Sequence, residues 1–327
     1  MVLIGLVTLS VTVLWLYIFT FYEAWVLHAP AGILVGLALP GLAITILQEY
    51  RAVPTCSREY TFLSKENALN FVAVVVGALA TYVISVDLSL GAVTASGLVG
   101  LLAGLIVPAY GVPAYCGSFV GMSSAQLLVN HTELGIAAMV AGVIYMLTTH
   151  TCAGIGGKLG TIAFAAAVLT GLGLQRAFLI TPVPTWDIAW QIVLYAVLAA
   201  VITFWLSVYL KHGAVIASSV VGLVGGLLLP ALYPDPLGNT LAVVVICASF
   251  TGMASPQRIP KLWHMAVAGL VTGVIFVYSM PILGGAGGKL GTIAFGAVMV
   301  VYGYMQLFER HAHKVSAARS SQGNAAR

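Results

Sequence analysis

The chain has 327 residues, of which 61% are hydrophobic and only 7% are charged. Soluble domains carry about 25% charged residues, so this composition excludes an ordinary soluble protein and indicates a membrane protein. The net charge of +4 is small, and no basic stripe alternates with aromatic residues, so we expect no nucleic-acid partner. The cysteines are spread out without a metal-ligand spacing, so the sequence predicts no metal site, no cofactor and no disulfide framework.

Twelve apolar segments approach the ~20 residues that a membrane-spanning helix needs. The first has no basic leader and no cleavage site, so we expect it to be retained. The fifth is crowded by Pro108 and Pro113 and fits a re-entrant helix as well as a span. The segments cover residues 2–22, 29–48, 68–85, 91–110, 112–129, 134–150, 160–180, 188–210, 213–233, 238–254, 263–283 and 291–308.

The basic residues indicate an orientation for these segments. If both termini are cytoplasmic, every one of the 13 Lys and Arg residues falls inside except Arg176 and Lys289. Cytoplasmic loops of membrane proteins carry just such an excess of Lys and Arg. If the count were wrong by one span, the Lys and Arg residues would no longer collect on one side. Their distribution therefore favours twelve spans, in a plasma (inner) membrane.

Two stretches of sequence occur twice. The nine residues Gly156–Phe164 recur unchanged as Gly287–Phe295, and Cys116–Ser124 recurs in similar form as Cys247–Ser255. Both pairs are 131 residues apart, which indicates a duplicated unit. The unit contains five segments, an odd number, so the second copy is predicted to enter the membrane upside down.

The sequence thus predicts an all-α polytopic membrane protein with an inverted five-plus-five repeat. Two further helices precede the repeat. The predicted divisions are two N-terminal spans (1–48), a cytoplasmic linker (49–67), the first repeat (68–181), the inverted second repeat (186–308) and a basic, disordered cytoplasmic tail (309–327).

A first repeated motif places small residues four apart on a helix. Ser96, Gly100 and Gly104 in the first copy match Ser218, Gly222 and Gly226 in the second. Small residues at this spacing let a neighbouring helix approach closely, so we interpret the motif as helix packing.

A second motif, Cys-(Gly/Ala)-Ser-Phe-x-Gly-Met-(Ser/Ala)-Ser-x-Gln, lies in segments five and ten. Small and polar residues there indicate broken helices that line a pathway, and its Phe and Met side chains suit an apolar constriction. The alternative is tight packing with hydroxyls bonded to their own helix. The candidate pathway residues are Ser118, Phe119, Met122, Ser124, Gln126, Ser249, Phe250, Met253, Ser255 and Gln257.

A third motif, Gly-Gly-Lys-Leu-Gly-Thr, precedes segments seven and twelve. Its glycines permit close backbone approach, its Thr is predicted to cap a helix, and a helix start beside Lys suits an anion. Leu follows Lys, so the motif is not a nucleotide-binding loop. The alternative is an interfacial turn whose Lys reaches the headgroups. The candidate substrate residues are Gly156, Gly157, Lys158, Thr161, Gly287, Gly288, Lys289 and Thr292.

No Asp or Glu lies inside a predicted segment, which favours an anionic or neutral substrate over a cation. We therefore expect a transporter or channel for a small solute, foremost a small anion, with its pathway between the repeats. The expected partners are this substrate, the lipid bilayer and, as an open possibility, a second copy of the chain. The alternatives are a channel for a neutral polar solute, an intramembrane enzyme acting on a lipid phosphate, and a scaffold subunit. An enzyme is not expected, because Cys116 and Cys247 have no base nearby in sequence.

Overall fold

The computed structural model describes the backbone of residues 1–56, 62 and 64–325, and the side chains of residues 1–53, 62 and 64–311. Within these ranges the chain is helical and forms no strand. The helices are α1 (Val2–Leu27), α2 (Ala29–Gly36), α3 (Ala38–Cys56), α4 (Lys65–Tyr82), α5 (Ala92–Ile106), α6 (Gly111–Gly121), α7 (His131–Thr148), α8 (Lys158–Gly173), α9 (Trp186–Phe204), α10 (Ala214–Leu232), α11 (Leu237–Gly252), α12 (Leu262–Ser279) and α13 (Lys289–Ala325).

Eight helical segments in the described part of the chain are long and apolar enough to cross a membrane. They comprise α1, α2 with α3, α4, α7, α9, α10, α12 and most of α13, while α5, α8 and α11 are shorter apolar helices. Helix α6 has 11 residues and covers only about 16 Å, roughly half of the hydrocarbon core. The all-helical membrane class is confirmed, whereas twelve spans remain a prediction.

Two segments differ from the sequence prediction. The predicted linker over 49–67 is partly helical, because α3 continues to Cys56 and α4 begins at Lys65; residues 57–61 and 63 lie outside the described residues. The predicted disordered tail continues α13 to Ala325, and 326–327 lie outside the description. Ala and Arg are strong helix formers, and a preceding helix removes the cost of nucleation.

The helices α4–α8 and α9–α13 follow the same order and share local features. Helices α4 and α9 both continue into a π-helical segment, Val83–Asp87 and Trp205–Tyr209. A Cβ added at Gly121 would lie 2.4 Å from the carbonyl oxygen of Ala78, and one at Gly252 would lie 2.6 Å from that of Ala200. The same close helix contact is therefore made in both copies.

The two additional helical segments at the N-terminus pack on one side of this arrangement. The Tyr17 hydroxyl of α1 donates to the carbonyl of Ile293 at 2.8 Å, and the Thr45 hydroxyl of α3 donates to that of Met299 at 2.6 Å. Both acceptors belong to α13. Helix α1 also packs against α7 of the first copy, because a Cβ on Gly5 would lie 2.3 Å from the carbonyl oxygen of Leu147. The N-terminal helices therefore contact both copies.

Candidate functional site

The Gly-Gly-Lys turns start their helices earlier than the sequence predicts. Gly157 and Gly288 adopt left-handed backbone angles, with φ of +82° and +87°, and α8 and α13 begin at the lysine that follows. The prediction that Thr161 and Thr292 cap these helices is wrong. Their hydroxyls instead donate, at 3.4 Å, to the carbonyls of Gly157 and Gly288. The glycine's left-handed backbone angle reverses the chain, so the helix starts directly after it and not at the Thr four residues later.

The two turns meet at the centre of the molecule. A Cβ built on Gly160 would lie 2.5 Å from the Cα of Gly291, and a Cβ on Gly291 would lie 2.5 Å from the Cα of Gly160. No real Cβ tolerates such a distance to backbone, so α8 and α13 cross in contact within their first turns. The reciprocal distances show a local two-fold relation at this crossing.

Each turn also packs against the second motif of the other copy. The Ser255 backbone N–H donates to the Gly154 carbonyl at 2.8 Å, and the Ser124 N–H donates to that of Gly285 at 2.9 Å. Gly156 and Gly287 lie directly against the ends of α11 and α6. The Gly-Gly-Lys turn of each copy therefore packs against the end of the second-motif helix, α6 or α11, of the other copy.

Two cavities of about 250 Å³ each flank this crossing. We name them the Lys158 cavity and the Lys289 cavity after the one charged residue that lines each of them. Much of the lining of one cavity is equivalent, across the repeat, to the lining of the other. The Lys158 cavity includes Phe119, Tyr145, Thr148, Lys158, Ala214 and Met253, and the Lys289 cavity includes Phe250, Phe276, Ser279, Lys289, Ala92 and Met122.

A group of aromatic rings in edge-on and tilted contact lies between the cavities. The ring centroids of Phe119 and Phe250 are 4.4 Å apart, and the Tyr115 ring packs on Phe119 at 4.5 Å. The two cavities therefore share Phe250 in their linings.

The two lysines bind the ends of the helices that precede them. The Lys158 ammonium donates to the carbonyls of Thr148 at 2.5 Å, Thr151 at 2.6 Å and Thr149 at 3.5 Å. Among the described residues, the Lys289 ammonium donates to one carbonyl, that of Met280, at 3.2 Å. An ammonium has three donors. Backbone carbonyls therefore accept all three N–H groups of the Lys158 ammonium. The Lys289 ammonium keeps N–H groups that are available to a ligand in its cavity.

The remaining residues of the second motif serve packing. The Ser118 hydroxyl pairs with that of Ser96 at 2.9 Å and the Ser249 hydroxyl with that of Ser218 at 2.8 Å, all four being buried. These pairs tie α6 to α5 and α11 to α10. Ser124 and Ser255 act through their backbone, while Gln126 and Gln257 are exposed outside both cavities.

The repeated cysteines occupy equivalent structural positions. The Cys116 thiol donates to the carbonyl of Leu159 at 3.4 Å, and the Cys247 thiol donates to that of Leu290 at 3.2 Å. Both side chains are fully buried. They link α6 to the start of α8 and α11 to the start of α13.

Beside the Lys158 cavity lies an ion pair that the sequence did not reveal. The Arg258 guanidinium contacts the Glu49 carboxylate at 2.7 Å and donates to the carbonyl of Ala153 at 3.0 Å. Glu49 also accepts the Cys152 backbone N–H at 3.1 Å. Burial raises the pKa of the Cys152 thiol to about 12, with the Glu49 charge adding to it. The one indication in the sequence was the charge difference between the copies, because Arg258 is equivalent to Leu127 of the first copy.

Different contacts border the Lys289 cavity. Leu179, between α8 and α9, exchanges two backbone hydrogen bonds of 2.9 Å with Gly284. Thr181 from the same segment lines the cavity. The segment joining the copies thus borders one cavity, and the N-terminal helices border the other.

Comparison with protein-family models, curated proteins and solved structures finds no match to this chain. Among the described residues, no three or more His, Cys, Asp or Glu side chains are grouped so that they could hold a metal ion.

Proposed function

We propose that this protein is a transporter or channel for a small anion, with a route that joins the two cavities through the constriction at Phe119 and Phe250. One observation carries the proposal: equivalent cavities, each with one lysine, approach the same aromatic group from two sides. A scaffold has no need for such paired cavities.

The charge of the cavities favours an anion. Lys158 and Lys289 are the charged residues among those that line them, and no carboxylate lines either one. The first turns of α8 and α13 lie beside the same cavities, and helix N-termini carry partial positive charge. Cavities of about 250 Å³ fall below the usual range for drug-sized ligands, so the substrate is small.

The proposal includes the inverted arrangement of the repeat. Twelve membrane-embedded segments, with both termini cytoplasmic, place the Lys158 cavity toward the cytoplasm and the Lys289 cavity toward the opposite side. Exposed, equivalent Gln126 and Gln257 supply a test. Cysteines introduced at these two positions are expected to react with a membrane-impermeant thiol reagent from opposite sides, against a wild-type background. Labelling from the same side would contradict the inverted repeat.

Flux through liposomes tests the function itself. We expect purified protein to pass small inorganic anions faster than neutral solutes of similar size. The double variant Lys158→Gln/Lys289→Gln is expected to lower anion flux by at least about tenfold, as loss of a charge-assisted contact predicts. Equal flux of both solute classes, unchanged in the double variant, would favour a neutral substrate. Absence of any flux would contradict the proposed passage.

A further inference from the structure

A second concave site lies on the outer surface, away from the passage. We name it the α12–α13 groove; it occupies about 400 Å³ between α12, α13 and the junction of α2 with α3. Its walls are apolar, with Leu34, Val274, Val301 and Phe308 among them. Trp263 and His264 form its polar end, where α12 begins, and the hydroxyl of Tyr304, elsewhere in the lining, donates to the carbonyl of Leu37. The groove is formed by helices that are long and apolar enough to span a membrane, so it faces the bilayer.

The length of the groove matches one leaflet. It extends along α12 from His264 to Ile275, which is about 16 Å of helix. The hydrocarbon core is about 30 Å thick, so the groove reaches from one interface to near the midplane. Trp263, which is 60% exposed, lies at the polar end, and Trp side chains prefer the interface between headgroups and hydrocarbon.

The polar end contains a buried hydrogen-bonding group without a partner. His264 is only 8% exposed, and its Nδ1 has no hydrogen-bond partner among the described residues. The equivalent residue in the first copy, Glu133, is paired with Arg176. Among the described residues that line the groove, His264 is the one whose side chain has such an unpaired buried atom, and buried polar atoms are usually paired. A ligand group at this end would therefore complete its hydrogen bonding.

The charges at this end favour an anionic ligand. Lys261 is exposed and directly precedes α12, and the first turn of that helix contributes positive dipole. Glu309, the acidic residue of α13, is exposed and directly precedes the exposed Arg310. Anionic lipids attract basic residues at the membrane surface, at about 1 kcal/mol for each Lys or Arg.

We propose that the α12–α13 groove binds an anionic phospholipid. One acyl chain occupies the apolar channel, and the phosphate lies at the start of α12, where Lys261 and His264 contact it. The site is independent of the proposed passage. With the termini cytoplasmic, it lies in the cytoplasmic leaflet.

Lipid retention tests this proposal. Purified, delipidated protein is mixed with phosphatidylglycerol or phosphatidylcholine, and bound lipid is counted by native mass spectrometry. We expect retention of phosphatidylglycerol to exceed that of phosphatidylcholine by about fivefold, the equivalent of one basic contact. Val274→Phe fills the groove and is expected to abolish retention. Its matched control, Val143→Phe, alters the equivalent exposed position of the first copy and should retain lipid normally.

A second variant separates headgroup recognition from folding. His264→Phe keeps an aromatic ring but removes both nitrogens, and it should reduce the preference for phosphatidylglycerol while leaving acyl-chain binding intact. Equal retention by Val274→Phe and Val143→Phe would overturn the proposal. A dimer that Val274→Phe dissociates would also overturn it, because the groove would then be covered by a second copy.

Discussion

The turns at the Lys158 and Lys289 cavities belong to stretches of nine identical residues, but the two lysines make different contacts. Lys158 donates to three carbonyls of the Thr148–Thr151 turn, whereas Lys289 donates to one. The corresponding turn of the second copy is Ser279–Ile282 and contains Pro281. Sequence identity in a motif therefore does not fix what its charged residue contacts, because the partners are backbone atoms of a segment that has diverged.

The helix crossing is where the two copies are most alike, and disrupting it should have the largest effect. Gly160→Ala and Gly291→Ala each place a methyl group 2.5 Å from backbone. We expect both variants to lose about 2–3 kcal/mol of stability or more, measured by thermal unfolding in detergent. Gly135→Ala is the control, because nothing lies within 4 Å of its Cβ. A clear difference between the two crossing variants would contradict the local two-fold relation.

Breaking the two ion pairs, Arg258–Glu49 and Arg176–Glu133, should give the next largest losses of stability. Glu49→Gln leaves the Arg258 guanidinium, whose side chain is only 17% exposed, without its carboxylate. Loss of one partner of a buried pair is costly, so we expect about 2 kcal/mol of destabilisation. Arg176→Gln removes a half-buried partner and leaves the Glu133 carboxylate with two other donors, the Val129 backbone N–H and the Asn130 amide, so it should cost about 1 kcal/mol or less. Chemical unfolding of both variants compares them, and the reverse order would contradict this ranking.

Replacing the two lysines should affect stability and anion flux to different extents. Lys158→Gln removes hydrogen bonds to three carbonyls and is expected to cost about 2 kcal/mol of stability, with a modest effect on flux. Lys289→Gln is expected to lower anion flux by about tenfold with less loss of stability. Flux through liposomes and unfolding of the same preparations measure both. If Lys158→Gln had the larger effect on flux, Lys158 would be the lysine that contacts the anion.

Much of the fold followed from sequence, but the partners of its motifs did not. Composition predicted the all-helical membrane class, and the repeated glycines and lysines do line a pair of cavities. The hydrogen bond between Ser255 and Gly154, which joins the two copies, was not predictable. Two identical motifs do not specify whether a turn binds its own copy or the other one. Ser118 and Ser249 were expected to line a pathway, yet they pair with Ser96 and Ser218, because a buried hydroxyl needs a partner.

The packing of each Gly-Gly-Lys turn against the other copy has a consequence for the evolutionary origin of the chain. A single copy would present an unpaired Gly-Gly-Lys turn and an uncovered broken helix, each able to bind the same elements of an identical neighbour. A precursor with one copy would therefore form this centre only as a pair of separate chains, related by the local two-fold relation at the helix crossing. Fusion of the two genes would then free each half to diverge, as the surroundings of Lys158 and Lys289 have done.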